Sequence, residues 1–468
     1  MPVSERRPAE IRGAFRISSA HPSAALLRAA CAALCLLALG MPRGARADGE
    51  SGPDTLRARF EVGGSTDLTN EQYYDFGDSF TDTTFVTLSR RLVSSPETRY
   101  AAVATAALEG TRSRRSVSYQ LLNDLSAGDK VVRDALSLAW RVQPSDAWRL
   151  QLSPRAEYRR DRSFDRDLEE LRASLGARLR HRVGEEGSFL EWGAGGDLLR
   201  THGQGAAFFL DRNAAQVMVA FDRAPLFGDE WRIGYGLAGR TFPDSAERNH
   251  FEHSGEGRWA HAFGAGHSLV VEAEGERRVT VDFAPTSRDN FWAGRGSVES
   301  ALHLSDEWSA LLRFEAEAQR YDVQDSSLFF DYQVLRARAG PRFDRIGRWS
   351  LRAGPRGELL LSALNPVERY REIGGFAEFE YLGAGSYWSV SPEAGWRAYP
   401  DHAPAGFSTV DPGIHSAYAF YELDVIGDQA LPGGLRLRAI TTMRLESHTD
   451  NADDARSLYF SCDLRKLF

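Results

Sequence analysis

The chain has 468 residues, a formal net charge of −8 and a mean hydropathy of −0.39. This length fits two or three ordinary domains or one large barrel. The acidic balance argues against a nucleic-acid partner, because surfaces that bind nucleic acid are basic. After residue 47 the sequence contains no run of about 18 apolar residues, which excludes spanning helices there but not alternating membrane strands.

Residues 1–47 have the features of an export signal. Five Arg residues precede a short apolar run from Ala29 to Leu39, and Ala45-Arg46-Ala47 offers small residues where signal peptidase reads them. We predict cleavage after Ala47, since the apolar run is too short for the alternative, an N-terminal membrane anchor. Removing seven basic and two acidic residues leaves 50 and 63, a net charge of −13. Cys462 is then the only cysteine, so no intramolecular disulfide is expected.

The first strand is predicted after a short leader at 48–54. From Leu56 to Val62 apolar and charged side chains alternate, as in a strand with one wet and one apolar face. The polar stretch from Asp67 to Asp82 is expected to be a loop.

The following region is less clearly segmented. We expect strands from Thr83 to Leu92 and from Tyr100 to about Gln120, with a turn around Ser95-Pro96. Arg112 to Arg115 fit either a loop or the outer part of a long strand. This stretch makes the strand count uncertain by about two.

The alternation is plainest between Asp146 and Arg160. Trp148, Leu150, Leu152 and Tyr158 fall on one face of an extended chain, whereas Arg, Gln, Ser and Glu side chains occupy the other. An apolar face that begins and ends with an aromatic residue is typical of a strand that crosses a bilayer. The other face must meet water.

The same pattern recurs along the chain, in long segments joined alternately by short turns and longer polar loops. The short turns often precede a Trp that would start a strand at the same interface. A propeller blade would need four short strands per repeat, so a soluble propeller is the less favoured alternative. The short turns are at 145–148, 228–231, 264–266, 305–308, 346–349 and 383–385, and the longer outer loops at Asp67–Asp82, Leu364–Arg371, Asp401–Asp411 and His448–Asp454.

The last strand carries a resemblance to a known class. Leu458, Phe460, Cys462 and Leu464 share one face, and the chain ends on Phe468. With the export signal and the alternating strands, this resembles bacterial outer-membrane β-barrels of the porin type, whose last strand usually ends in Phe and is read by the assembly machinery. Lys466 departs from the pattern, because the class favours an aromatic at that position; it is expected to snorkel.

We therefore predict an all-β fold, a single antiparallel up-and-down transmembrane barrel of about 20 strands (18–22) over residues 55–468. The resemblance implies an outer-membrane location, and the expected partners are outer-membrane lipid, the assembly machinery and small solutes. We expect no cofactor and no metal site.

Charged side chains on the presumed inner face are the candidate functional residues. Rows of Arg and Glu across a wide, water-filled lumen would select solutes by charge. The alternative is that these charges pair and close the interior. The candidate pore-lining residues are Arg149, Arg155, Arg159, Arg172, Arg178, Arg180, Arg182, Glu315, Glu317, Arg336, Arg338, Arg352, Arg356, Glu378, Glu380, Arg436, Arg438 and Arg444.

A passive or weakly charge-selective channel is the favoured function. With only residues 48–54 between the predicted signal and the first strand, we expect no plug in the lumen. Two alternatives stay open: a barrel that passes an exopolysaccharide or another polymer, which would suit the Arg rows, and a barrel that binds a partner through its outer loops.

Motifs for catalysis are weak. Gly77 to Phe80 resembles an esterase nucleophile block but has no Asp–His pair at the required spacing, and Gly234 to Gly239 fits a dinucleotide pattern only by letter. The sequence therefore predicts no enzyme activity.

Overall fold

The structure is a computed structural model that describes residues 55–80, 86–112, 116–162, 167–184, 187–204, 211–224, 228–281, 290–323, 331–345, 348–401, 416–449 and 453–468. The predicted signal peptide and leader lie outside the described residues. Within them, no helix is long and apolar enough to cross a membrane.

Twenty strands form one antiparallel sheet within the described residues, as predicted from the alternating segments. They are β1 (Thr55–Phe80), β2 (Val86–Arg112), β3 (Val117–Gly128), β4 (Val131–Ser145), β5 (Trp148–Asp161), β6 (Asp167–Arg182), β7 (Ser188–Gln204), β8 (Arg212–Arg223), β9 (Glu230–Thr241), β10 (His250–Ala262), β11 (Ser268–Thr280), β12 (Phe291–His303), β13 (Trp308–Tyr321), β14 (Tyr332–Arg345), β15 (Trp349–Leu361), β16 (Tyr370–Gly383), β17 (Ser386–Ala398), β18 (Tyr418–Leu431), β19 (Leu435–His448) and β20 (Ala455–Leu467).

The sheet closes on itself. Each strand pairs with the next along the chain, and β20 pairs with β1 from Glu61↔Leu467 to Gln72↔Arg456. The backbone N–H of Phe468 also donates to the carbonyl of Phe60, at 2.9 Å. This closure satisfies the polar backbone of strands that lie in lipid, because no edge is left open along the paired length.

Short and long connections lie at opposite ends of the barrel. The Trp-containing turns and the two Gly-rich turns all join strands at the same end, as predicted. The longer connections lie at the other end, among them 362–369, the β19–β20 connection and the β17–β18 connection. Residues 450–452 and 402–415 of the last two are outside the described residues.

The region before residue 128 differs from the prediction. Asp67 to Phe80 is not a loop but the second half of β1, paired in register with β2 from Thr55↔Thr111 to Phe80↔Val86. Ser95-Pro96 is not a turn either, since β2 runs unbroken from Val86 to Arg112. Backbone pairing overrides the polar composition of this stretch, because hydrogen bonds to neighbouring strands do not depend on side-chain polarity.

Two identical pentapeptides pair with each other in the wall. Arg338 to Arg342 in β14 and Arg352 to Arg356 in β15 both read Arg-Ala-Gly-Pro-Arg, and their register places Gly340 opposite Gly354. A Cβ on Gly340 would meet the Ala353 carbonyl oxygen at 2.0 Å, so the close backbone approach requires glycine. The two prolines lack the N–H groups that would otherwise continue the ladder.

Aromatic side chains mark one boundary of the outward apolar surface. Trp148, Trp231 and Trp308 are each more than a third exposed at the short-turn end. Trp148 and Tyr158 start and end the outward apolar face of β5, about 25 Å apart for a strand tilted by about 40°. That is the height expected of an outward apolar band.

Candidate functional site in the barrel lumen

Ion pairs identify the inner face of the barrel. Arg338 on β14 contacts Glu393 on β17 at 2.9 Å, although two strands lie between them. Neighbouring strands are about 4.8 Å apart, so these side chains meet only because they converge over the intervening strands on a concave surface. Arg465 on β20 similarly approaches Asp124 on β3, at 3.8 Å.

All the predicted pore-lining residues share this face. Partners in an antiparallel pair point to the same side and residues alternate along each strand, so the register carries the face of Arg338 around the whole barrel. By this register the inward set contains Arg149, Arg155, Arg159, Arg172, Arg178, Arg180, Arg182, Glu315, Glu317, Arg336, Arg338, Arg352, Arg356, Glu378, Glu380, Arg436, Arg438 and Arg444.

The structure brings one group of these residues together, on the wall from β13 to β17. Arg336 bridges Glu317 at 3.1 Å and Glu358 at 3.0 Å. Arg356 contacts Glu372 at 2.5 Å, and Arg397 contacts the other oxygen of Glu372 at 2.6 Å. This network, which also contains Arg338, Arg352, Glu378 and Glu393, is continuous over five strands.

Inward aromatic rings lie beneath that network. Phe376 and Phe420 are 4% and 3% exposed, and the guanidinium groups of Arg338 and Arg352 lie over the ring of Phe376, at 5.5 and 5.3 Å. Arginines stacked on rings gain cation–π attraction. Sequence reasoning missed these rings, although Phe376 alternates in phase with Glu372 and Glu378 and could have been assigned to the same face.

Most other predicted arginines are paired locally. Arg155, Arg159 and Arg444 each bind the carboxylate two residues further along the same strand, at 2.6 to 2.8 Å. Arg436 and Arg438 share Asp428. The pairs within one strand hold side chains along the wall, whereas Asp428 links β18 to β19.

The wall from β8 to β13 is more open. A cavity of about 620 Å³ lies against it, lined by charged side chains that include Arg232, Glu256, Glu274 and Arg295 and by the glycines at 234 and 236. The side chains of Glu274 and Arg295 are 63% and 50% exposed. Charges on this side therefore face open space, unlike those stacked on the rings of Phe376 and Phe420.

One ion pair at the long-connection end shows how the rim is held. Arg277 donates two hydrogen bonds to Asp322, at 2.8 and 2.5 Å, just beyond the end of β13. These hydrogen bonds hold the pKa of Asp322 below its usual range. The carboxylate is thus charged at neutral pH and fixes the start of the β13–β14 connection.

The weak catalytic motifs fall inside strands. Gly77 to Phe80 belongs to β1, and Gly234 to Gly239 lies within β9 with β10 following it and no helix. Among the described residues no group of three or more His, Cys, Asp or Glu side chains could hold a metal ion.

No protein-family profile and no curated protein matches the sequence. Among solved structures, the chain is similar to the copper transporter OprC, with 12% identity over 88% of this chain and 80% of that chain and a TM-score of 0.54. It is also similar to the siderophore receptor PirA from Pseudomonas aeruginosa (10%, 88% and 80%, 0.48) and to Pseudomonas aeruginosa OpdQ (10%, 88% and 97%, 0.41). The match to OprC confirms the predicted fold class.

Proposed function

We propose that this outer-membrane β-barrel forms a passive, weakly charge-selective channel for small solutes. The observation that carries the proposal is the open inner wall from β8 to β13, where half-exposed Arg and Glu side chains border a cavity and their ion pairs, such as Arg295 with Glu274 at 3.8 Å, stay open to it. Rows of charge along an aqueous path bias passage by solute charge and orientation.

The number of strands supports an open lumen. Barrels of 16 to 18 strands already leave an aqueous channel that side chains do not fill. The ion-pair network from β13 to β17 occupies one part of the wall, and the ion pair that spans most strands within it joins β14 to β17. The predicted alternative, a lumen closed by ion pairs, would need such packing around the whole circumference.

The outward face supports the proposal that the barrel contacts lipid. Leu150, Leu152 and Tyr158 point away from the lumen and suit contact with lipid. We propose further that the chain is inserted in the outer membrane and that its assembly machinery reads the last strand through Phe468. The Nζ of Lys466 donates to the carbonyl of Gly433 in the adjacent turn, so its charge reaches the interface.

Purified protein in planar bilayers tests the channel. We expect discrete conductance steps in KCl with only weak preference between cation and anion, because both signs line the wall. Detergent without protein is the control. Correctly folded barrel that inserts into the bilayer yet gives no conductance would overturn the proposal.

A further inference from the structure

We propose that a basic pocket at the short-turn end of the lumen binds dianionic oxyanions, and thereby defines a preferred class of solute. The pocket is a cavity of about 540 Å³ against β3 to β7. It is lined by Arg141, Arg149, Arg178 and Arg180, with Ser118, Gln151 and Glu191 between them. This inference rests on the proposed channel function, because the pocket lies on its inner wall.

The register concentrates the four arginines. Arg149 on β5 is opposite Arg180 on β6. Gln151 on β5 is opposite Arg178 on β6 and, on its other side, opposite Arg141 on β4. Four guanidinium groups therefore start from three adjacent strands, within about 10 Å of backbone. Like charges on neighbouring strands repel each other, and a bound anion would relieve that repulsion.

Two of the four positive charges are balanced by carboxylates. Arg178 lies 3.3 Å from the buried Glu191, and Arg180 bonds Asp222 at 2.6 Å while its guanidinium lies over the Phe189 ring. Those two side chains are thereby anchored to the wall. Arg178 still has 57% of its side chain exposed, so part of its guanidinium faces the cavity.

The other two arginines carry uncompensated charge. Arg141 is exposed and its Nε points to the amide oxygen of Gln151 at 3.3 Å, and Arg149 is exposed as well. Within the part of the chain that the structure describes, neither has a carboxylate within 4.0 Å. This distinguishes them from Arg155 and Arg159 on the same inner wall, each of which is paired.

The ligand chemistry follows from this balance. A surplus of two positive charges matches a solute with two negative charges, and the planar fork of arginine matches the oxygens of carboxylate or phosphate in a bidentate way. The hydroxyl of Ser118 and the amide of Gln151 add neutral hydrogen bonds for the rest of the solute. The class is therefore small organic dicarboxylates or phosphate-bearing solutes.

The test measures block of the channel current by disodium succinate and by sodium phosphate at mildly alkaline pH, with uncharged succinamide as the control solute. We expect both dianions to reduce the KCl current in a saturable way. The double variant Arg141→Gln/Arg149→Gln should raise the half-blocking concentration by about tenfold or more, because charge-assisted hydrogen bonds are lost.

The matched control is Arg59→Gln/Arg155→Gln. It removes two inward arginines of 54% and 47% side-chain exposure, each paired with a carboxylate two residues on. Its effect should stay within about twofold, because screened charges outside the pocket contribute little. Block by only one of the two dianions supports the pocket and identifies the source of the oxyanion. Equal increases of the half-blocking concentration in both double variants, or no increase in Arg141→Gln/Arg149→Gln, would overturn the proposed pocket.

A second measurement separates this proposal from the channel. Equilibrium dialysis of labelled succinate with the detergent-solubilised barrel does not require conductance. If bilayers show no current but dialysis shows saturable binding that Arg141→Gln/Arg149→Gln abolishes, the channel fails and the pocket stands. Absence of saturable succinate and phosphate binding to the folded wild-type barrel overturns the pocket.

Discussion

Glu372 is the residue at which the inner network is most enclosed. Its side chain is 2% exposed, one oxygen accepts from Arg356 and the other accepts from Arg397. The side chains of those two arginines are themselves 12% and 18% exposed. Removing the negative charge would leave two buried cations without their shared partner, which costs more than the pair itself contributes.

We therefore expect Glu372→Gln to lower the free energy of unfolding by about 3–5 kcal/mol. The measurement is guanidinium-induced unfolding in detergent, followed by the fluorescence of the strand-end Trp residues. Glu380→Gln on the same strand is the control, because Glu380 is exposed and accepts one long hydrogen bond, at 3.4 Å, from Ser350. A similar small effect of both substitutions would contradict the role assigned to Glu372.

The sequence could predict which arginines face inward but not which would be buried. Arg352 and Arg178 have the same phase within their strands, yet their side chains are 14% and 57% exposed. The difference arises from Phe376 and Glu378 on β16, which the register of β15 with β16 places beside Arg352. The phase of Arg352 within β15 does not reveal which side chains of the neighbouring strand lie beside it.

At the scale of one strand, the separation of a lipid-facing side from a lumen-facing side is clearest in β5. Leu152 and Ser153 are neighbours in the chain, but the register places them on opposite faces. Ser153 shares the inner face with Arg155 and lies beside the basic pocket, whereas Leu152 is on the outer face.

This division predicts different cysteine reactivities. In a Cys462→Ala background, Ser153→Cys should react rapidly with a charged, membrane-impermeant thiosulfonate and reduce the conductance, because its thiol meets water in the lumen. Leu152→Cys should react at least about tenfold more slowly, since the thiolate needed for reaction is disfavoured in apolar surroundings. Fast reaction at both positions would mean that β5 is not embedded as described.

The elements predicted least well are β1 and β2. Their composition is polar around Asp67 to Gln72 and includes Pro96, which together favour a loop and a turn. Pro96 is tolerated because β3 pairs with β2 only from Ala101 onward, so β2 has a neighbour on one side alone at that point. From Val131 onward the strands alternate more regularly, and there the predicted and observed turns agree.

For the molecule as a whole, the pairing of β1 with β20 joins the first and last strands of the part of the chain that the structure describes. Ser65 is a suitable position at which to test this pairing, because it is paired with Ala101 on β2 and with Asp463 on β20. Whichever side its N–H group faces, a neighbouring strand lies there.

We expect Ser65→Pro to prevent closure, since proline removes a ladder hydrogen bond from a strand with two neighbours. The readout is the shift between unheated and heated samples on SDS gels, which reports a closed barrel. Thr98→Pro is the control: it has the same phase as the natural Pro96 in the stretch of β2 that β3 does not reach. If both variants keep the heat-dependent shift, the closing seam is not essential.

The paired Arg-Ala-Gly-Pro-Arg segments give the wall an uneven stiffness. Between Arg338↔Arg356 and Arg342↔Arg352 the backbone ladder is interrupted, and the guanidinium groups at its corners are held by acids on β16 and β17 or on their own strand. This part of the β14–β15 junction is therefore held less by backbone hydrogen bonds than by side-chain ion pairs. Under lateral pressure from the bilayer, the cross-section is expected to flex first along this line.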